Sequence, residues 1–384
     1  MPLRETLSGY WQSLQGELFP ALEEELGPLG ERYRDLVTVL ELARVEALVK
    51  HWPGLVGRPR KDRAALARGF VAKAVFNIAQ TDMLIERLML DKTLRRICGW
   101  SRAGAVPSEA TFSRAFAEFA ASALPGRLHE AVIAKTQGAR LVGHISRDAT
   151  AIEARERTPR KKKTESRPKR KRGRPRKGEE PSRAPGERRR LERQGEMSLA
   201  EMLADLPRAC AVGVKRNAAE CQGGYQTHWI GYKLHLDVAD GDIPISAILT
   251  SASLHDSQAA IPLATMTASR VTNLYDLMDS AYDAPEIAAH SRALGHVPLI
   301  EPHPRTADGK QKLKAEAKRR KRIGLRLAEQ VRYQQRAAAE RAFANFKDNF
   351  AGRTIRVRGP DKVACHVMFG LLALSAIQIM RLVQ

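Results

Sequence analysis

Residues 331–350, VRYQQRAAAERAFANFKDNF, constrain the fold most tightly, because their polar positions are too specific to serve solubility alone. At about 100° per residue, Tyr333, Arg336, Glu340 and Lys347 fall within about one sixth of a turn of one another, which predicts one stripe on one helix. The opposite side carries Val331, Ala338, Ala342 and Phe346, so the helix packs on a core while presenting one carboxylate flanked by two cations and a phenol. An Arg336–Glu340 pair at i,i+4 is by itself worth only about 0.2–0.5 kcal/mol on any solvated helix. The full stripe asks for an anionic substrate.

The charge of the chain points the same way. Its 384 residues carry 65 Lys and Arg against 43 Asp and Glu, a formal net charge of +22 and a pI near 10.2. Such an excess implies a polyanionic partner, most simply nucleic acid, with an anionic membrane surface as the weaker alternative. More than half of it lies in residues 155–194, where 19 Lys and Arg face 6 Glu, a net +13. That segment has almost no apolar residue before Leu191 and is expected to be disordered when free. Within it, Arg172-Gly173-Arg174-Pro175 resembles the core of an AT-hook, which lays arginines in A·T-rich minor grooves. Non-specific phosphate binding accounts for the same residues.

With 43 % hydrophobic residues, the chain can fill a sizeable core and two domains. Cys98, Cys210, Cys221 and Cys365 show neither CxxC spacing nor a paired His motif, so no zinc module or disulfide framework is indicated. The opening residues, MPLRETLSGYWQSLQ, hold no continuous apolar run, and residues 367–380 are shorter than the ~20 residues a bilayer span needs. No targeting segment and no membrane partner are expected.

Along the chain, residues 22–137 read as helical, with apolar residues three and four apart. Pro107 and Ser108 open a helix, SEATFSRAFAEFA, with Ser108 as N-cap. A helix-turn-helix ending there would put Thr111, Ser113 and Arg114 near DNA, although helix pairs with short turns occur in any bundle. Residues 140–148 read as a buried strand ending at Asp148. Residues 229–239 and 243–250 read as strands joined by the turn Asp240-Gly241-Asp242. After a helix, VTNLYDLMD reads as a strand ending at Asp279, then a helix begins near Ala284, HVPLIEP forms a strand, and a very basic helical region leads into residues 331–350.

The spacing Tyr-x2-Arg-x3-Glu-x6-Lys resembles the signature of a group of bacterial insertion-sequence transposases in the DDE superfamily. MDSAYDA around Asp279 is similar to a second motif of that family, with Ala281 where much of the family has Gly, and VPSEATFSRAF resembles its N-terminal region, which is thought to bind the element's ends. The resemblance implies an α/β fold: a ribonuclease-H-like mixed sheet flanked by helices (residues 139–384), preceded by an all-α DNA-binding domain (residues 1–138) and interrupted by the disordered basic insert. In such a fold the first and fourth strands are central neighbours, which would bring Asp148 and Asp279 together with Glu340 over them.

By resemblance these three are the catalytic, metal-binding residues, for two Mg²⁺ ions about 3.5–4 Å apart, with Mn²⁺ able to substitute. Tyr333, Arg336 and Lys347 would hold DNA phosphates beside them. Asp276 and Asp283 lie close enough to Asp279 to compete for its role, Asp283 also reading as a helix cap. His255 and Asp256 also look like a family feature, which capping explains equally well, and Cys365 and His366 read as part of the last core helix. The implied function is cleavage of double-stranded DNA at element ends and strand transfer into target DNA, by a homodimer on paired ends in the cytoplasm at the nucleoid. The alternatives are a nuclease or resolvase that only cuts, and a DNA-binding regulator without chemistry.

Overall fold

The computed structural model describes residues 3–49, 61–158, 189–216, 226–304, 306–325 and 327–382. Most of the basic insert, including Arg172 and Arg174, lies outside the described residues, as does Cys221. The insert's C-terminal end is ordered, against expectation: Arg190–Gln194 is a short helix in which Arg190 pairs with Asp205 at 2.7 Å and the Gln194 side chain is buried.

The N-terminal part is helical, as its periodicity predicts. It comprises α1 (Leu3–Ser13), α2 (Phe19–Leu26), α3 (Glu31–Ala43), α4 (Arg63–Val75), α5 (Thr81–Leu90), α6 (Lys92–Cys98), α7 (Glu109–Ala121) and α8 (Leu124–Gln137). In α7, Phe112, Ala115, Phe116 and Phe119 are buried at helical spacing, leaving Ser113 and Arg114 exposed. Ser108 occupies the N-cap position of α7, but its hydroxyl faces Thr111 Oγ1 at 3.4 Å rather than a backbone N–H.

Three strands reading N- to C-terminally in different directions build the sheet centre. β1 (Leu141–Glu153) pairs antiparallel with β3 (Gln226–Ala239) and parallel with β5 (Thr272–Met278). β3 carries β4 (Ile243–Ser251) and the short β2 (Ala211–Arg216), both antiparallel, and β6 (Val297–Ile300) lies parallel to β5. The β3–β4 hairpin turns where expected, with Gly241 and Asp242 at φ of 86° and 59°. Only a residue tolerant of the left-handed region suits such a turn, which is why Gly and Asp stand there.

Helices cover both faces of this sheet. The first, α9 (Arg190–Gln194), α10 (Leu199–Asp205), α11 (Ala260–Ala268) and α12 (Pro285–Ala293), are followed by α13 (Ala307–Arg322), α14 (Ala328–Tyr333), α15 (Ala337–Asn349) and α16 (Pro360–Arg381). The last helix ties the two parts together. By length and composition α16 could cross a bilayer, yet most of it is buried against α3, α4, α7, α8 and β4. Phe70 of α4 meets Phe112, Phe116 and Phe119 of α7 and Phe369 of α16 with ring centroids 4.9–6.2 Å apart. One continuous core therefore runs from the helical part into the sheet, and each fully buried Phe in it contributes about 1.5–3 kcal/mol. Cys365 and His366 belong to this core, the His366 ring bonding to Ala351 O at 2.9 Å.

Candidate active site

Strand alternation sends Ser146, Asp148 and Thr150 of β1 to one face, and each meets the stretch from Gln334 to Lys347. β1 does not end at Asp148: it continues to Glu153 because β3 pairs with it along its whole second half. What ends there is the parallel pairing with β5, whose last register pair is Arg147 with Met278. Asp279 is the next residue after β5 and N-caps a 3₁₀ turn, accepting Ala281 N–H at 2.9 Å. The two aspartates thus follow the same register pair on neighbouring strands.

This position shapes their electrostatics. Burial pushes the Asp148 carboxyl up to about 6, and the charge of Asp279 adds to the rise although the Ala149 N–H works against it. Burial likewise raises Asp279, with Asp256 and Glu301 contributing. Two acids so placed take up protons unless a cation compensates them. Asp256 is a further carboxylate in this field, paired with Lys233 at 2.8 Å, a place that helix capping, the reading of its sequence position, does not suggest.

Glu340 reaches the pair only through Arg336. The guanidinium lies 3.5 Å from Asp148 Oδ2 and 2.6 Å from Glu340 Oε1, and the Glu340 side chain is 56 % exposed. Among the described residues no group of three His, Cys, Asp or Glu side chains is close enough to hold one metal ion. The donor set nevertheless fits a hard divalent cation in part: Asp148 and Asp279 supply neighbouring carboxylate oxygens, the ligand type such a cation takes.

The expected single helix over residues 331–350 is instead broken. α14 ends at Tyr333, a 3₁₀ turn spans Gln334–Arg336, and α15 begins at Ala337. Ser146 Oγ donates to Gln335 O at 3.0 Å, anchoring the tightened turn to β1. Ala338, Ala342 and Phe346 are buried as predicted, whereas Val331, ahead of the break, is exposed. The polar residues consequently diverge. Tyr333 Oη lies 3.4 Å from Glu301, Arg336 spans Asp148 and Glu340, and Lys347 Nζ donates to Thr150 Oγ1 at 2.6 Å, further along β1. Burial lowers the Lys347 pKa.

Beneath Asp148 the other face of β1 carries a buried ionic network that sequence spacing did not disclose. Arg147 binds Asp237 through two bonds of 2.8 and 2.7 Å, with both side chains essentially inaccessible, and Thr267 donates to Asp237 at 2.7 Å. Asp276 belongs to this layer. Burial works to raise its pKa, but His296, Arg147 and Ser291 together hold it down at about 2. Facing inward with its partners in place, it does not compete with Asp279. Asp283 is not a helix cap, since Ala284 precedes α12; its carboxylate instead accepts His303 N–H at 2.8 Å. At residues 255–259 the capping side chain is His255, whose Nδ1 faces Ser257, and not Asp256.

Searches of curated proteins and of solved structures gave no match. Two family models did: residues 208–376 match the transposase DDE domain, and residues 21–118 match a transposase domain, DUF772. Asp279, Tyr333, Arg336, Glu340 and Lys347 fall inside the first and Thr111, Ser113 and Arg114 inside the second, while Asp148 lies outside both. A DDE domain implies a nuclease or transposase enzyme with DNA as its partner, and such enzymes generally use divalent metal ions. Matched over β2 to β6 with α11 to α15 and most of α16, and over α3 to α6 with most of α2 and α7, the two domains support an insertion-sequence transposase of the DDE superfamily.

Proposed function

We propose that the chain cuts double-stranded DNA at the ends of an insertion sequence and joins the released 3′-hydroxyls to target DNA, with Asp148, Asp279 and Glu340 as its catalytic carboxylates. The observation that carries this reading is the juxtaposition of Asp148 and Asp279 after the last paired residues of β1 and β5, within an enzyme that carries a transposase DDE domain. Those three residues would hold the metal, Mg²⁺ with Mn²⁺ as substitute, and a metal bound there supplies Lewis acidity toward a phosphodiester oxygen. The rest falls to side chains of the chain itself. Arg336 offers a planar fork to a phosphate in place of the carboxylates it now spans, Lys347 adds a point charge on the Thr150 side, and Tyr333 orients the strand from the Glu301 side.

The test is incubation of the full chain with a labelled duplex carrying the inverted repeats that flank its gene, a second target DNA and Mg²⁺. Cleavage at the repeat ends followed by joined products supports the proposal. Cutting without joining would identify a nuclease or resolvase, and binding without cutting would identify a regulator.

A further inference from the structure

Helix α13 is a 16-residue excursion with no buried side chain among its described residues. Isolated helices of this length are marginal in water, and most helices of folded proteins are held by an apolar face. α13 has none: Leu313 is its one large apolar residue, and it is exposed. Its charges are nevertheless ordered. Asp308 pairs with Lys312 at 2.8 Å and Glu316 pairs with Arg320, which occupies both acids of the helix on one side. At 100° per residue, Lys310, Lys314, Lys318, Lys321 and Arg322 fall within about 120° on the other side. None of these five is ion-paired with a described residue.

We propose that α13 is an arm that grips the phosphate backbone of duplex DNA through Lys310, Lys314, Lys318, Lys321 and Arg322, on an excursion rooted at the carboxylate site. The lengths match. Twelve residues of helix at 1.5 Å each span about 18 Å, over which the duplex axis advances about five base pairs at 3.4 Å each, so a helix of this length passes phosphates of both strands. A helix without an apolar face offers nothing to a protein groove, whereas five uncompensated cations in a row complement a phosphate backbone.

The arm also starts and ends at the right place. Glu301, just beyond β6, donates its N–H to Met278 O at 3.2 Å, one residue before Asp279, and the chain returns at Tyr333, whose hydroxyl lies 3.4 Å from Glu301. The excursion that carries α13 is therefore rooted at both ends beside Asp279. This inference rests on the proposed transposase reading only for the identity of the duplex that is held.

The experiment measures DNA affinity against salt, without divalent metal, for the full chain on a labelled duplex of arbitrary sequence. Lys314→Ala, Lys318→Ala and Lys321→Ala are combined, since Ala preserves helix propensity. The control combines Glu316→Ala with Arg320→Ala, which removes a pair from the opposite side without changing net charge. The triple variant is expected to flatten the slope of log K against log salt by about 2.7, about 0.9 for each lost phosphate contact, while the control leaves it unchanged. An unchanged slope in the triple variant, or equal flattening in the control, overturns the arm. Because binding is read without cleavage, a chain that binds DNA but never cuts it would sink the proposed reaction while the slopes still decide the arm.

Discussion

Asp148→Asn is predicted to stabilise the metal-free protein at neutral pH. In the fold this carboxyl titrates at about 6, against an ordinary 3.8, chiefly because it is buried and secondarily because Asp279 stands beside it. The folded state thus holds its proton more tightly than the unfolded chain does. As pH rises from about 4 to about 6 the unfolded chain gives up this proton while the folded protein still holds it, so stability falls by about 1.4 kcal/mol per pH unit, about 3 kcal/mol in all. Asn keeps the acceptor for Ala149 N–H and carries no charge, so it escapes this cost, apart from the lost contact with Arg336 at 3.5 Å. The gain over the parent should therefore be about 2–3 kcal/mol at about pH 7 and should vanish near pH 4. Denaturant unfolding in EDTA at the two pH values measures it. Adding Mg²⁺ should narrow the gap by stabilising the parent alone, by about 2.7 kcal/mol at a hundredfold excess over its dissociation constant. A variant no more stable than the parent at pH 7, or a gap of equal size at pH 4, would refute the electrostatic account of the pair.

Four further outcomes follow, two from the geometry and two from the charge of the basic insert. Asp237→Ala leaves Arg147 buried without its two-bond partner and should cost about 3–5 kcal/mol of stability, read as a lower unfolding midpoint; a change under 1 kcal/mol would mean that Asp276 alone can balance Arg147. Lys347→Ala removes a charged contact to the proposed substrate strand and should slow end cleavage by about 10- to 100-fold, with the unfolding midpoint little changed; undiminished cleavage would take Lys347 out of the site. Deleting residues 159–188 should weaken binding to all DNA and flatten its salt dependence, with cleavage surviving at low salt, and replacing Arg172 and Arg174 by Ala should weaken binding to A·T-rich more than to G·C-rich duplexes if they act as an AT-hook; a salt slope unaffected by the deletion would contradict the charge argument.

What could be read from the residues alone was whatever short-range patterning dictates. The hairpin at Asp240-Gly241-Asp242, the strands before Asp279 and at residues 297–300, and the helices up to Gln137 follow from turn chemistry and periodicity, and all are present. β2 was not legible, because Ala211–Arg216 is a strand only by pairing with the extension of β3. Nor was the break between α14 and α15. Every residue from Gln334 to Arg336 favours a helix, and what tightens that turn is a hydroxyl from Ser146, almost two hundred residues earlier. The same applies to Asp276, which looks like a competitor of Asp279 in sequence and is disqualified by Ser291 and His296, partners supplied by a later helix and the turn after it. The family resemblance could nominate Asp148, Asp279 and Glu340, but only tertiary structure could show that Arg336 stands between the last of them and the first.

The most direct test of the central claim, that Asp148 and Asp279 form one catalytic unit with Glu340, is the rate of strand cleavage by the amide variants. Asp148→Asn, Asp279→Asn, Glu340→Gln and the paired doubles would be assayed on a labelled duplex bearing the element's end, with Mg²⁺ for reaction and Ca²⁺ for binding. Each single variant should lose cleavage and keep DNA affinity, since the cations that bind DNA are untouched, and the doubles should be no worse than the singles, as expected of residues acting as a unit. Asp283→Asn, which alters only the contact to His303 N–H, should keep cleaving. Full cleavage by Asp148→Asn, or by Glu340→Gln, would contradict the account.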